Sequence, residues 1–335
     1  MPCGGASPPG AGRSPRVPGA PAPGRWGRGR RTDRCVERLL SAAAGHAGYP
    51  RGIDLSMAAQ LTVFSKHLHW CPPDELPEAL NAIGADGLDV TVRPDGHVDP
   101  QRVSEELPAL VEACRARGCE VVMICTAIRD ANEAHAGEIL KTASALGIKY
   151  YRMGWLEYDT RDIAGNLREI SRRMKELASM NEYYGIKGAY QNHDGQWFGA
   201  PVWDLAMVLN EVDSPWLGAQ YDILNATIEG GSSWPLAFDY IAPRVHSLAL
   251  KDAVWQKKEG RWQIDYRPTG RGWVDFEALR QKWMRDKMNV PLTLHFEYDL
   301  GGAETGAFKL SKKRDTVLAA MKRDVDFVRD LLRDV

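Results

Sequence analysis

The sequence lacks any long apolar segment, and no hydrophobic run approaches the roughly 18 to 20 residues that a membrane-spanning helix needs. It also has almost no net charge, −1 over 335 residues, so no overall basic field would attract nucleic acid or an anionic membrane. We therefore expect neither nucleic acid nor membrane as a partner. A small polar molecule such as a sugar fits this balance better, and a homo-oligomer is left open.

Cysteine pairs are missing as well. The six cysteines include no CxxC pair and no spacing typical of a zinc site. Reduced thiols scattered through a large core are therefore expected.

Residues 1–57 differ from the rest of the chain, since Met1 to Arg31 consists mainly of proline, glycine and arginine and has almost no large apolar residue. This composition predicts a disordered or signal-like extension, followed by a folded domain over residues 58–335. Arg30-Arg31 followed by LLSAAAG faintly resembles a twin-arginine export signal, but acidic residues such as Glu37 interrupt the part that should be apolar. A cytoplasmic location is favoured, and export is left open.

From Leu61 onward, short apolar runs bounded by turn or polar residues alternate with amphipathic segments, which is typical of buried strands between helices. The predicted strands are Leu61–Phe64, Gly87–Val92, Glu120–Cys125, Lys149–Met153, Ile186–Tyr190, Leu217–Tyr221, Val245–Leu250 and Leu292–Phe296. Eight strand–helix units over about 275 residues predict a (β/α)8 TIM barrel, whose usual size is roughly 250. A doubly wound sheet would usually carry a glycine-rich phosphate loop after its first strand, and FSKHLHWCPPDEL contains none.

In such barrels the site lies at the carboxyl ends of the strands. The candidate residues at these ends are His67, Arg152, Trp155, Gln191, His193, Asp222, Asn225, Lys251 and Glu297. Because side chains alternate along a strand, Gln191 and His193 should share a face, and His295 should lie one layer below Glu297. Trp155 adds an aromatic surface of the kind on which sugar rings stack.

A long insertion, Val254 to Gly272, follows the seventh strand. It predicts a hairpin that turns at Glu259-Gly260 beside the barrel mouth, where it would serve as a lid or a subunit contact.

The order of strand-end motifs is YQNHDG, YDILNA, LALKD and HFEYD, with GRGWVDF after the seventh strand. This order resembles the xylose isomerase-like sugar phosphate isomerases and epimerases, from about Leu61 to the C-terminus. The resemblance implies a divalent metal held by Glu, Asp, His and Glu on strands five to eight. Here those positions are Gln191, Asp222, Ala249 and Glu297, so two of the four ligands differ.

Two interpretations of these differences follow. Asp222, Glu297 and Gln191 could hold Mg²⁺ or Mn²⁺ weakly through oxygen atoms. Alternatively, Lys251 could project into the space beside Ala249, where its ammonium group would replace the metal electrostatically.

The resemblance further implies an enzyme that removes a proton beside the carbonyl of a sugar or keto-sugar. Glu297 would be the base, with a pKa raised toward neutrality by burial, and Lys251 and His193 would assist it. Substrate would be bound by His67, Arg152, Trp155, Gln191 and Asn225. Because glutamine does not titrate, two-base epimerisation is in doubt. One-base isomerisation remains, as do a lyase that eliminates the aglycone from a 3-keto-glycoside and a non-catalytic sugar-binding or partner subunit.

Overall fold

The computed structural model describes residues 60–333. The predicted N-terminal extension over residues 1–57 lies outside this range, so its boundary stays a prediction. No helix between residues 60 and 333 combines the length and apolarity required to cross a membrane. The four cysteines in this part of the chain are buried and unpaired, as expected.

Eight parallel strands close into a barrel in the order β1-β10-β7-β6-β5-β4-β3-β2. They are β1 (Leu61–Phe64), β2 (Gly87–Val92), β3 (Glu120–Thr126), β4 (Tyr150–Arg152), β5 (Lys187–Gln191), β6 (Leu217–Asp222), β7 (Val245–Leu250) and β10 (Leu292–Leu294). Apart from β8 (Asp252–Lys258) and β9 (Arg261–Arg267), which form a separate hairpin, neighbours in sequence are neighbours in the sheet, and β1 pairs with β10 to close it. The predicted (β/α)8 TIM barrel is confirmed.

The α-helices among residues 60–333 connect these strands and surround the barrel. They are α1 (Leu76–Ile83), α2 (Val103–Arg115), α3 (Ala136–Ala145), α4 (Ile163–Tyr184), α5 (Trp203–Val212), α6 (Ile223–Gly230), α7 (Trp234–Ile241), α8 (Phe276–Asp286) and α9 (Arg314–Leu331).

Strand side chains divide by parity into an apolar outer face and a polar inner face. On β10, Leu292 and Leu294 belong to the core between strands and helices. Between them, Thr293 points inward, and its hydroxyl lies 3.5 Å from the Asp89 carboxylate of β2. The apolar outer face anchors the barrel to its helices through the hydrophobic effect, so the interior is free to hold polar groups.

The insertion after β7 forms the predicted hairpin, with β8 (Asp252–Lys258) antiparallel to β9 (Arg261–Arg267). Its turn lies at Glu259 and Gly260, which have φ of 51° and 78°. Two consecutive residues with positive φ are typical of a type I′ hairpin turn.

The carboxylate of Asp252 fixes the return of the chain from this hairpin. It accepts hydrogen bonds from the backbone N–H groups of Ala253, Gly272, Trp273 and Val274 at 2.7–3.1 Å. A Cβ atom on Gly272 would lie 2.2 Å from the Asp252 carboxylate, so only glycine fits there. The GRGWVDF motif is therefore explained by this backbone clamp.

Candidate functional site

A cavity of about 270 Å³ opens at the carboxyl ends of the strands. It is lined by Phe64, Lys66, Arg93, Arg152, Trp155, Gln191, His193, Lys251, Tyr266, His295 and Glu297. These residues lie on or shortly after seven different strands, which are β1, β2, β4, β5, β7, β9 and β10. The barrel thus assembles one site from distant parts of the chain.

Lys251 and Asp222 form a buried ion pair at the end of β6 and β7. The Lys251 Nζ atom lies 3.2 Å from Asp222 Oδ2, and the side chains are 4% and 0% exposed. Burial alone would lower the pKa of Lys251, but Asp222 and Glu297 favour the charged form, and the pKa is raised. Lys251 is therefore an ammonium ion at neutral pH.

Asp222 accepts two further hydrogen bonds, from the Gln191 amide (2.9 Å) and from the backbone N–H of Asn225 (3.0 Å). The second bond makes Asp222 the N-cap of α6. Asn192 ties the same region together, since its side chain exchanges hydrogen bonds with the backbone N–H and C=O of Asp222. The orientation of this carboxylate is thus fixed from several sides.

Gln191 connects a cation to an anion. Its carbonyl oxygen accepts a hydrogen bond of 2.6 Å from Arg152, and its amide donates to Asp222. A carboxylate at this position could accept from Arg152 but could not donate to Asp222, and it would add a second negative charge in a buried place. An amide therefore suits these neighbours, whereas a glutamate would repel one of them.

Glu297 forms a second, more open ion pair. Its two carboxylate oxygens lie 3.3 and 3.4 Å from Lys66 Nζ, and both side chains are 20% exposed. Burial alone would raise the pKa of Glu297, but His67 where it is protonated and the ammonium groups of Lys66 and Lys251 favour the carboxylate, and the pKa is lowered. The expected rise toward neutrality is therefore wrong, because two ammonium groups surround this carboxylate.

His67 lies behind the cavity wall and is fully buried. Its Nδ1 donates to the carbonyl of Ala303, and its Nε2 accepts from the backbone N–H of Phe296, both at 3.1 Å. Burial lowers the pKa of His67 to about 3, so the ring is neutral near pH 7. With both nitrogens engaged, His67 orients the chain next to Glu297 rather than facing the cavity.

His193 and Trp155 form the aromatic side of the cavity, with ring centroids 4.6 Å apart. The Nδ1 of His193 donates to the carbonyl of Asp194 at 3.0 Å, so the neutral ring has Nε2 as an acceptor. Arg152 stacks over the Trp155 ring at 4.8 Å.

The sequence profile of the xylose isomerase-like TIM barrels matches residues 77–328. The chain belongs to that family.

Solved structures of similar fold include a xylose isomerase domain protein from Planctomyces limnophilus, 17% identical, covering 83% of this chain and 98% of that one with a TM-score of 0.57. A D-psicose 3-epimerase from Clostridium cellulolyticum H10, solved with D-tagatose, is 12% identical, with coverage of 82% and 99% and a TM-score of 0.61. The IOLI protein with a bound zinc atom is 13% identical, with coverage of 82% and 98% and a TM-score of 0.62. At these identities the similarity shows the fold alone. No curated protein matches the chain.

The metal site implied by the resemblance does not fit the side chains of this member of the xylose isomerase-like family. Asp222 faces the Lys251 ammonium, and the carbonyl oxygen of Gln191 already accepts from Arg152. Glu297 faces an ammonium group of its own. No group of three or more His, Cys, Asp or Glu placed to hold a metal ion occurs within residues 60–333. A divalent ion between these oxygens would have to displace a buried cation.

The cavity brings together most of the residues predicted from the sequence. Those that line it are Arg152, Trp155, Gln191, His193, Lys251 and Glu297. Three others support it from behind, namely His67, Asp222 and Asn225.

Five further residues line the cavity without being among the candidates selected from the sequence, namely Phe64, Lys66, Arg93, Tyr266 and His295. Tyr266 is brought to the mouth because β9 returns antiparallel to β8 and pairs it with Ala253. The hairpin turn predicted from the sequence already implied that the chain returns toward the barrel mouth. The alternation that placed Glu297 also placed His295, whose Nε2 has no hydrogen-bond partner among the described residues.

Proposed function

We propose that this protein is an isomerase-type enzyme that removes and returns a proton beside the carbonyl group of a sugar, with Glu297 as the base. One observation carries this proposal. Among the described residues, Glu297 is the single carboxylate that lines the cavity, and its neighbours keep it ionised, so it is able to accept a proton. Similar folds occur in epimerases of free ketoses such as D-psicose, which is consistent with sugar chemistry.

The proton leaves the substrate carbon for the Glu297 carboxylate, and negative charge develops on the neighbouring carbonyl oxygen. Lys251 lines the same cavity as an ammonium ion. A fixed positive charge aimed at a developing oxyanion lowers the barrier without needing to reorganise. Asp222 holds that ammonium group in place, so it acts as a positioning residue rather than as a base.

Return of the proton to the adjacent carbon completes an isomerisation, and Glu297 performs both transfers from one side of the substrate. His193 lines the same cavity and can move the second proton between the two substrate oxygens. Gln191 has no proton to give or take in this pH range, so the site favours one base over two. Elimination from a keto-sugar also needs a single base and is the second candidate reaction.

Solvent deuterium exchange tests this proposal. The full-length protein is incubated in D₂O with D-fructose, D-psicose, D-tagatose or L-ribulose, and deuterium on carbon is followed by NMR. We expect uptake with the wild type and a loss of about 10²–10⁴-fold in Glu297→Gln, the usual contribution of a general base. The matched control is Glu277→Gln on α8, whose side chain is 57% exposed and distant from the cavity lining.

An unchanged rate in Glu297→Gln would remove the base assignment. Binding of a sugar without exchange by the wild type would instead favour a non-catalytic sugar-binding subunit. Release of an aglycone from a 3-keto-glycoside in a parallel assay would favour the lyase.

A further inference from the structure

We propose that the substrate is a sugar acid, whose carboxylate is bound by Arg93 and Arg152 inside the cavity. This inference names the substrate class for the proposed function and rests on the same cavity. It depends on two guanidinium groups that form no ion pair with an Asp or Glu among residues 60–333.

Arg152 is a buried cation without a counter-ion in contact. The residue is 3% exposed, and its Nη1 donates to the neutral Gln191 amide. Its Nε has no hydrogen-bond partner among residues 60–333, and no Asp or Glu in that range lies within ion-pair distance of it. Burying a guanidinium group in this way is costly unless an anion completes the site.

Arg93 approaches the same place from β2. Its guanidinium carbon lies 5.6 Å from the centroid of the Phe64 ring, and that of Arg152 lies 5.4 Å from the same centroid. The one hydrogen-bond contact recorded for Arg93 within the described chain is a weak one to the Cys125 sulfur, at 3.8 Å. Two unpaired guanidinium groups therefore flank one aromatic ring at the cavity wall.

The other cations of the cavity are already matched. Lys251 pairs with Asp222, and Lys66 pairs with Glu297. An acid near the two arginines is Asp89, which is buried and whose Oδ1 has no hydrogen-bond partner in the described part of the chain.

Asp89 balances only one of the two arginines. Burial raises the pKa of Asp89 to about 6, although Arg152 and Arg93 favour its ionised form. Even a fully ionised Asp89 supplies only one negative charge against two guanidinium groups. One positive charge remains uncompensated, and a single monoanionic group on the ligand would balance it.

A carboxylate fits this requirement better than a hydroxyl or a phosphate. Guanidinium groups bind carboxylates through two parallel hydrogen bonds, whereas a hydroxyl offers no compensating charge. A phosphate dianion would bring a second negative charge next to Asp89 and would take more of a cavity of about 270 Å³. These charges thus favour a sugar that carries one carboxylate.

Three ligands with one carbon skeleton test the inference: D-fructose, D-fructuronate and D-fructose 6-phosphate. Their affinities for the full-length protein are measured by calorimetry at low ionic strength. We expect D-fructuronate to bind at least about tenfold more tightly than the other two. That preference should disappear in Arg93→Gln and in Arg152→Gln.

The matched control is Arg172→Gln on α4, a 57% exposed arginine paired with Glu169 and Glu176, which should keep the preference. Because Arg152 is buried, its variant is checked by circular dichroism. The half-buried Arg93 gives an independent test if Arg152→Gln does not fold.

Equal affinity for the three ligands, including a failure of all three to bind, would overturn the inference. A preference for D-fructose 6-phosphate would overturn the carboxylate assignment. A preference retained in both arginine variants would place the anion elsewhere. Glu297→Gln should keep the preference for D-fructuronate while losing deuterium exchange, so failure of the base assignment and failure of the anion site are separable.

Discussion

The two ion pairs at the barrel mouth have the same chemical groups but opposite surroundings. Lys251–Asp222 is almost fully buried, and its carboxylate also accepts from Gln191 and from the backbone of Asn225. Lys66–Glu297 is one-fifth exposed, with contacts of 3.3–3.4 Å against 3.2 Å in the buried pair. The first pair is fixed in place, and the second leaves its carboxylate free to turn toward a substrate.

The two ion pairs therefore suit two different tasks, which are stabilisation of the oxyanion and removal of the proton. A charge that stabilises a developing oxyanion works best when it cannot move. A base must instead exchange its partner for the proton of the substrate, so it needs room and a weaker contact. Changes to each pair should therefore have different consequences.

The largest expected effect comes from neutralising the buried carboxylate. Asp222→Asn leaves the Lys251 ammonium buried without a counter-ion, and we expect a loss of about 3–5 kcal/mol in the free energy of unfolding. Glu297→Gln removes a charge from the more open pair and should cost about 1 kcal/mol or less. Urea unfolding at pH 7 measures both.

A double variant sharpens this comparison. Asp222→Asn combined with Lys251→Gln removes both charges, so it should be more stable than Asp222→Asn alone. Equal losses for Asp222→Asn and Glu297→Gln would mean that the two pairs do not differ in the way described.

A smaller effect is expected on the pH dependence of Glu297 in Lys66→Met. The pKa of Glu297 lies below its ordinary value in the folded protein, so its ionised form stabilises the fold above the ordinary pKa. This contribution is lost as pH falls through the folded pKa. Without Lys66 the pKa should rise, and deuterium exchange should decline at a higher pH than in the wild type.

The pKa itself can be followed by NMR of ¹³C-labelled glutamate. Lys322→Met is the control, since that lysine forms a surface pair with Asp326 on α9. A pKa of Glu297 that stays in place or falls in Lys66→Met would contradict the assigned electrostatics.

Much of the fold could be predicted because its signals are local. β1, β2 and β7 begin and end at the predicted residues, since polar or turn residues bound each apolar run. The last barrel strand was predicted to continue to Phe296 but ends at Leu294, because its neighbour β7 ends at Leu250, the partner of Leu294. The end of this strand therefore depends on a neighbouring strand that is distant in sequence, which a local pattern does not show.

The sequence predicted which residues lie at the site, but not which of them form hydrogen bonds and ion pairs with one another. Alternation placed Gln191 in the barrel, yet its partners Arg152 and Asp222 depend on the register of three strands. The pKa of Glu297 was predicted in the wrong direction because Lys66, which opposes the effect of burial, lies 231 positions away in sequence. Charges that meet only in the folded chain were the part that local patterns could not supply.

We propose that the Lys251 ammonium takes the place that the family resemblance gives to a metal ion. Deuterium exchange into D-fructose and D-fructuronate by protein treated with EDTA, measured with and without added Mn²⁺, tests this claim most directly. We predict rates that agree within about twofold, because the protein supplies its own fixed positive charge. Exchange that appears only after Mn²⁺ is added would contradict the account.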